Sequence, residues 1–320
     1  MTIGNHLQEL DGLPAHDFAV YEAGKSELPA PDAVAWRIAV SSYDSQESWP
    51  EAFTRFTETV DTTRVRALIA GAWSSPYEDG PEEVVAALLA VRDRLPALRA
   101  VFIGDLVTEE CEISWIIQGD VTPLLAGFPQ LEVLGVRGGN GLEFPAVRHE
   151  KLRSLTVETG GMPADAVRGV AAGDFPGLEH LDLWLGTGEY GGDCEIADLA
   201  PFFAGTRLPA LRSLALRNSD LQDEIAAAFA AAPVVARLER LDLSMGVLSD
   251  EGATALLGGQ PLTHLKQLDL HHNYLSDPIK ERLQEALAEA GVELDLSKDD
   301  AEDEEEDEDG TVWRYVAVAE

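Results

Sequence analysis

Two glycine-containing segments have the residue types and spacing of nucleotide-binding turns. Gly186 to Gly191 spells G-x-G-x-x-G after a predicted strand, which is the spacing of a dinucleotide-binding turn. Glu189 and Asp193 would face the pyrophosphate there, and the next helix begins too late to bind it. Gly24-Lys25-Ser26 has the ending of a phosphate-binding loop, but Pro29 prevents the helix that must follow. We therefore expect no nucleotide cofactor.

Another group of residues has the composition of a nucleophilic triad. Ser154, His180 and Ser213 occupy equivalent positions of successive predicted strands, and Asp182 lies beside them. A strand does not supply the strained turn that exposes such a nucleophile, and no oxyanion hole is evident. The grouping therefore does not predict catalysis, and we expect a non-enzymatic protein.

Metal chemistry is also not expected from the sequence. Cys111 and Cys194 lie far apart and outside any C-x-x-C pair, so neither a zinc site nor a disulfide framework is indicated. His271 and His272 point to opposite faces of a strand and cannot chelate one ion together. We therefore expect no metal ligands.

Four aspartates recur at one position of the later predicted strands. They are Asp182, Asp242, Asp269 and Asp295, and Ala215 interrupts the row. Adjacent strands lie about 4.8 Å apart, so neighbouring carboxylates repel unless a cation or a basic side chain intervenes. The row either receives Arg or Lys side chains from a partner or simply keeps this face of the sheet hydrated.

The elements that position these residues form a sequence repeat. Leu265 to Leu275 reads L-x-x-L-x-L-x-x-N-x-L, and the leucine spacing recurs from Leu238 and from Leu211, at a period of 27 residues. Each repeat predicts a short strand followed by a turn, in which an Asn side chain can bond the backbone of its own and the neighbouring coil. One coil cannot bury its apolar side alone, so the coils must stack.

This repeat resembles the leucine-rich-repeat family, and its period is closest to the ribonuclease-inhibitor type. The resemblance implies an α/β solenoid with a curved parallel sheet on the concave side and helices on the convex side. We predict about nine coils over residues 65–297 and an N-terminal lead-in and cap over 1–64. Residues 298–310 are expected to be an acidic disordered linker. Residues 311–320 have strand composition and are expected to fold back onto an exposed strand edge, with the N-terminal cap as one candidate.

Side-chain alternation along the strands decides which residues the concave face presents. These positions are small and apolar in the first half of the solenoid and polar in the second half. We expect partner contacts in the second half, from the aspartate row and the aromatic and basic residues around it. The predicted contact residues are His180, Asp182, Trp184, Arg217, Arg240, Asp242, Asp269 and His271.

The net charge limits the classes of partner that this chain can bind. The net charge of −35 makes nucleic acid and anionic membrane surfaces poor partners. No segment approaches the roughly 18 apolar residues of a membrane span, and the polar start does not look like a secretory signal. We expect a cytoplasmic protein that binds a basic or Arg-bearing protein or peptide, with its oligomeric state left open.

Two further resemblances give more specific interpretations. A leucine-rich solenoid followed by an acidic run, here Asp299 to Asp309, is similar to the activating proteins of the small GTPase Ran and to acidic nuclear histone-binding phosphoproteins. The first implies GTPase activation, although in this chain a Trp-Arg-Tyr segment follows the run. The stretches His6 to Phe18 and Arg314 to Val318 resemble an uncharacterised bacterial leucine-rich-repeat family encoded near radical-SAM enzymes. That resemblance implies an accessory protein in a biosynthetic pathway.

Overall fold

The computed structural model describes residues 3–18, 28–43, 45–298, 305–307 and 312–320. Two of the sequence-based expectations fall largely or wholly outside these residues. They are the disorder of the acidic linker and the phosphate-loop-like tripeptide Gly24-Lys25-Ser26.

A single continuous sheet organises the part of the chain that the structure describes. Its strands are hydrogen-bonded in chain order, and from β2 onward every neighbouring pair is parallel. The strands are β1 Glu9–Leu10, β2 Leu13–Asp17, β3 Ala35–Ile38, β4 Ala67–Ala70, β5 Ala100–Ile103, β6 Val133–Arg137, β7 Ser154–Glu158, β8 His180–Gly186, β9 Ser213–Ser219, β10 Arg240–Asp242, β11 Gln267–Asp269 and β12 Glu293–Asp295. The predicted α/β solenoid with a parallel sheet is confirmed.

The parallel register extends upstream of residue 65. β3 pairs with β4 from Ala35 opposite Ala67 to Ile38 opposite Ala70, and β2 continues the sheet beyond β3. β1 then pairs with β2 in the antiparallel sense, through Leu10 opposite Leu13. The first edge of the parallel sheet is therefore already covered by a short hairpin.

Helices connect most of the strands on one side of the sheet. They are α1 Trp49–Thr59, α2 Glu82–Ala90, α3 Pro123–Gly127, α4 Ala164–Ala172, α5 Ala200–Ala204, α6 Gln222–Phe229, α7 Asp250–Leu257 and α8 Asp277–Leu287. Local sequence fixes their starts: Ser48 and Glu51 form a capping box at α1, and Ser249 caps α7 by accepting from the backbone N–H of Glu251. The helices bury their apolar sides against the inward residues of the strands.

The main core consists of rows of leucines between the sheet and the helices. Leu214, Leu241 and Leu268 lie opposite one another on β9, β10 and β11, and all three are fully buried. Asn273 ties two coils together, because its side chain donates to the carbonyls of Leu243 and Leu270 at 2.9 and 3.0 Å. It also accepts from the backbone N–H of Leu248 at 3.0 Å. Asn273 therefore bonds the backbone of its own coil and of the neighbouring coil, as the repeat predicts.

A second apolar cluster lies on the opposite face of the sheet, which we call the concave face. The N-terminal residues Leu7 and Leu10 pack there against the small and apolar positions of β4 and β5, including Ile69 and Phe102. The N-terminal segment therefore covers the first half of the concave face. The small apolar pattern in that half serves packing against the chain's own N-terminus.

The C-terminal residues 315–320 fold back onto the carboxyl ends of the strands, contacting Asn218 near the end of β9 and Met245 just after β10. They do not extend the edge of the N-terminal cap. The physical reason is that β1 already occupies that edge.

None of the helices in the described part of the chain has the length and the apolar character needed to cross a membrane.

The division of the sheet into two faces predicts a large loss of stability for one substitution on β11 and a small loss for a substitution at the neighbouring residue. Leu268→Ala should lower the free energy of unfolding by about 2–5 kcal/mol, because it empties a fully buried position. Gln267→Ala changes the adjacent, half-buried residue of β11 on the other face and should cost less than about 0.5 kcal/mol. Urea denaturation followed by circular dichroism measures both, and equal losses would contradict the assignment of faces.

Candidate binding surface on the concave face

The predicted aspartate row exists at one level of the second half of the sheet. Asp182 on β8 and Asp242 on β10 both lie opposite Ala215 on β9. Asp242 lies opposite Asp269, which in turn lies opposite Asp295 on β12. All four aspartates are half-buried. The parallel register therefore places four carboxylates at one level of five successive strands.

Arg217 occupies the gap that Ala215 leaves in this row. Its Nε and Nη2 donate to the two carboxylate oxygens of Asp182 at 2.9 and 2.7 Å. Its Nη1 lies 3.5 Å from a carboxylate oxygen of Asp242, and its guanidinium lies 5.0 Å from the ring centroid of Trp184. The chain therefore supplies its own cation to the first two aspartates.

The electrostatics of this group follow from burial and from the two carboxylates. Burial opposes the charge of the guanidinium, but Asp182 and Asp242 outweigh burial and raise the pKa of Arg217. Burial raises the pKa of Asp242, and repulsion from Asp269 adds to that effect, although Arg217 opposes it. One arginine therefore does not fully offset the negative charge of the row beyond Asp182.

His271 neutralises part of the remaining charge. Its Nδ1 lies 2.7 Å from the carboxylate Oδ1 of Asp269, and that hydrogen bond raises the pKa of His271. Burial opposes ionisation of Asp269, but the hydrogen bonds from the ring and backbone of His271 lower its pKa overall. The pair therefore favours a charged imidazole beside an ionised carboxylate.

Asp269, His271 and Asp295 form a three-residue cluster at the end of the row. Each can offer one ligand atom, and these atoms lie within 4.8 Å of one another, in the one such group among the described residues. The expectation that no metal is bound considered His271 only beside His272 and left out the two aspartates. The signal was present, since His271 lies two residues after Asp269 and therefore on the same face. The cluster can hold a positive group, whether a metal ion or a basic side chain.

The triad-like residues lie one level away from the aspartate row, without a triad geometry. Ser154, His180 and Ser213 are opposite one another on β7, β8 and β9. Both carboxylate oxygens of Asp182 accept hydrogen bonds from Arg217. Burial lowers the pKa of His180, so its ring favours the neutral form. The carboxylate that would have to orient the imidazole is thus held by the arginine.

A cavity of about 210 Å³ opens between these two levels of the concave face. Five of the eight predicted contact residues line it, namely His180, Asp182, Arg240, Asp242 and Asp269. The other three lie around it: Arg217 bridges two aspartates, His271 lies beside Asp269, and Trp184 packs with Met245 and Val318. Trp184 is only 7% exposed, and Ala317 and Val318 of the chain's own C-terminal segment belong to the apolar cluster in which it is buried.

Sequence reasoning missed a second ionic network, in the first half of the sheet. Asp105 is fully buried and accepts from Arg37 Nε at 2.7 Å, from Arg137 Nη1 at 3.2 Å and from the backbone N–H of Leu7 at 3.0 Å. Arg137 also donates from Nε to Glu158 at 2.7 Å. The network fixes the N-terminal segment on the sheet, so its role is structural. Its partners come from distant coils, and no local spacing signals them.

Comparison with known proteins bears on the fold. No family model matches the chain, and no curated protein matches it. Among solved structures, a structural-genomics target protein from Bacteroides fragilis aligns with a TM-score of 0.72 at 29% identity, over 79% of this chain and 70% of that chain. An internalin from Listeria monocytogenes aligns with a TM-score of 0.34 at 15% identity, over 74% of this chain and 75% of that chain.

The sequence repeat and the register of the strands together identify the type of fold. Each repeat contributes one parallel strand, and its leucines stack in register with those of the next repeat. The chain folds as a leucine-rich-repeat solenoid. The leucine-rich-repeat register thereby explains both the buried leucine rows and the half-buried level of aspartates, since both recur once in each repeat.

The position of Arg217 between two aspartates predicts how the stability of the solenoid changes when this arginine is removed. Arg217→Met should lower the free energy of unfolding by about 3 kcal/mol, because it leaves partly buried carboxylates without their cation. The loss should grow as the pH rises from about 4. Burial raises the pKa of Asp242, so protonation at low pH removes the cost of burying its charge without Arg217. Arg240→Met is the control, because Arg240 is exposed on β10 and should cost less than about 0.5 kcal/mol. Urea melts of both variants at several pH values would test this, and a pH-independent loss would contradict it.

The histidine–aspartate pair makes a separate pH prediction. Because the folded protein raises the pKa of His271, its protonation stabilises the fold below the unfolded pKa of about 6.5. That contribution disappears as the pH rises through the folded pKa. His271→Gln should therefore be less stable than the natural protein at pH 6, with the gap narrowing toward pH 9. Thermal melts across this range measure the gap, and a gap that widens with pH would be inconsistent with the pairing.

Proposed function

We propose that this protein is a non-enzymatic interaction scaffold that binds a basic or Arg-bearing segment of a protein or peptide on its concave face. The observation that carries the proposal is the alignment of Asp242, Asp269 and Asp295 at one level of adjacent strands. The N-terminal segment covers the first half of the same face. The second half is therefore the part of the concave face that is left for a partner.

The distribution of charge along the row indicates where the partner's basic group binds. Arg217 holds both oxygens of Asp182, and His271 lies against Asp269. Asp295 accepts from the backbone and hydroxyl of Ser297 at 2.9 and 2.7 Å and forms no ion pair with any residue that the structure describes. The uncompensated negative charge therefore lies toward β11 and β12. A guanidinium or ammonium group bound there would offset it.

The size of the cavity favours a partner side chain over a free small molecule. Its volume of about 210 Å³ lies below the roughly 300–1,000 Å³ that is usual for small-molecule sites. A single long side chain fits such a depression while the rest of the partner lies along the sheet. The partner class that matches this shape and charge is a protein or peptide with an exposed Arg or Lys.

Two more specific functions rest on resemblance alone. GTPase activation depends on the acidic run, most of which lies outside the described residues. A place beside a bacterial biosynthetic pathway depends on two short terminal stretches. The proposed concave contact is compatible with either setting, and stimulation of GTP hydrolysis by candidate GTPases separates the first from the second.

Charge reversal on the concave face tests the proposal. Asp242→Lys with Asp269→Lys should abolish retention of the partner in affinity purification from the source organism, because the variant repels a basic group at the cavity. Glu281→Lys with Glu285→Lys is the matched control, since it makes the same charge change on exposed positions of α8. Mass spectrometry of the retained proteins measures the difference between the two variants.

The outcome that opposes the proposal is equally clear. Retention of the same proteins by the concave variant and the α8 variant would show that the aspartate row does not select the partner. A retained protein should also be released by salt, because surface ion pairs are screened at high ionic strength.

A further inference from the structure

The C-terminal segment is packed more tightly than its strand composition alone requires. Val316, Ala317 and Val318 are 7%, 1% and 1% exposed. Ala317 and Val318 join an apolar cluster with Ile113, Trp184 and Met245, which lie in the long loop after β5, in β8 and just after β10. The segment thus lies across the strand-end side of several coils without joining the sheet, and the chain bends at Ala317.

Side chains of the solenoid recognise the backbone of this segment. The amide group of Asn218 accepts from the backbone N–H of Val318 at 2.9 Å and donates to its carbonyl at 2.6 Å. The backbone N–H of Ala317 donates to the carbonyl of Met245 at 2.8 Å. Asn218 is fully buried, so this pairing is made away from water. Paired bonds to one residue's N–H and C=O hold a peptide whatever its side chain is.

Flanking contacts fix both ends of the segment. The hydroxyl of Tyr274 accepts from the backbone N–H of Tyr315 and donates to its carbonyl, both at 2.9 Å. At the other end, the hydroxyl of Ser114 donates to the carbonyl of Ala319. Contacts therefore extend from the loop after β5 to the loop after β11.

One glycine of the groove is shaped for the segment. A Cβ at Gly160 would lie 2.2 Å from the carbonyl oxygen of Ala319 and 2.1 Å from the hydroxyl oxygen of Ser114. Gly188, in a neighbouring loop, has no atom within 4 Å of an added Cβ. Only a residue without a side chain at position 160 leaves room for the bound backbone.

We propose that this strand-end groove is a peptide-binding site, distinct from the aspartate row, and that residues 315–320 are its intramolecular occupant. The ligand class is a peptide with a small residue between two aliphatic residues, matching Val316-Ala317-Val318. The thirteen residues between Lys298 and Val312 tether the occupant. A short tether gives an effective concentration on the order of millimolar, so a competing peptide in trans must displace the tail.

The test uses the full chain and a labelled peptide with the sequence of residues 312–320. Ala317→Arg in the chain places a charge at a buried position of the tail and should release it. We expect this variant to bind the labelled peptide at least tenfold more tightly than the natural protein does, as measured by fluorescence anisotropy. Adding Gly160→Ala to that variant should abolish the gain, and adding Gly188→Ala should leave it unchanged.

Two results would overturn the proposal. One is a folded Ala317→Arg protein that does not bind the peptide; the other is binding that Gly160→Ala leaves intact. Hydrogen exchange on the natural protein decides the matter if the variant fails to fold. The amides of Ala317 and Val318 should exchange faster than those of β8 to β10, because a displaceable tail opens without global unfolding. Equal rates would make the tail a permanent part of the fold.

Discussion

The parallel register of the strands is the constraint on which the rest of this structure depends. Because adjacent strands lie about 4.8 Å apart, residues at the same position of successive repeats must contact one another. Leucines at such a position form a continuous buried row, as Leu214, Leu241 and Leu268 do. Carboxylates at such a position repel, and an intervening cation lowers the free-energy cost of keeping them there. The same geometry thus produces the core and the charged surface.

The chain meets that constraint differently at the two ends of the aspartate row. At β9 a small residue, Ala215, leaves space for Arg217 to bridge the aspartates on either side. At β11 and β12 two aspartates are directly opposed, with one histidine beside them. The row is therefore compensated at its start and electrically open at its end.

The sequence alone predicts those parts of the fold that are governed by local spacing. The leucine period identifies the strands and their register, and alternation then places Asp242 and Asp269 on one face. The partners of long side chains are not local, because Asp182 and Asp242 lie on the coils adjacent to that of Arg217, as do Trp184 and Met245, which also contact it. The contacts of both terminal segments do not follow the repeat either, so its spacing does not predict them. Their hydrophobic residues signal burial without naming the surface that receives them.

The two termini determine which part of the solenoid is left for partners. Leu7 and Leu10 cover the concave side of the first strands, and Val318 covers Trp184 at the strand ends. These contacts remove apolar surface from water, so they stabilise the fold and hide the patches that would otherwise attract any hydrophobic chain. None of the terminal residues that the structure describes covers the aspartate level of β10 to β12 in this way. Under the proposed function, selection there would rest on charge and hydrogen bonding, which discriminate between partners more sharply than apolar contact does.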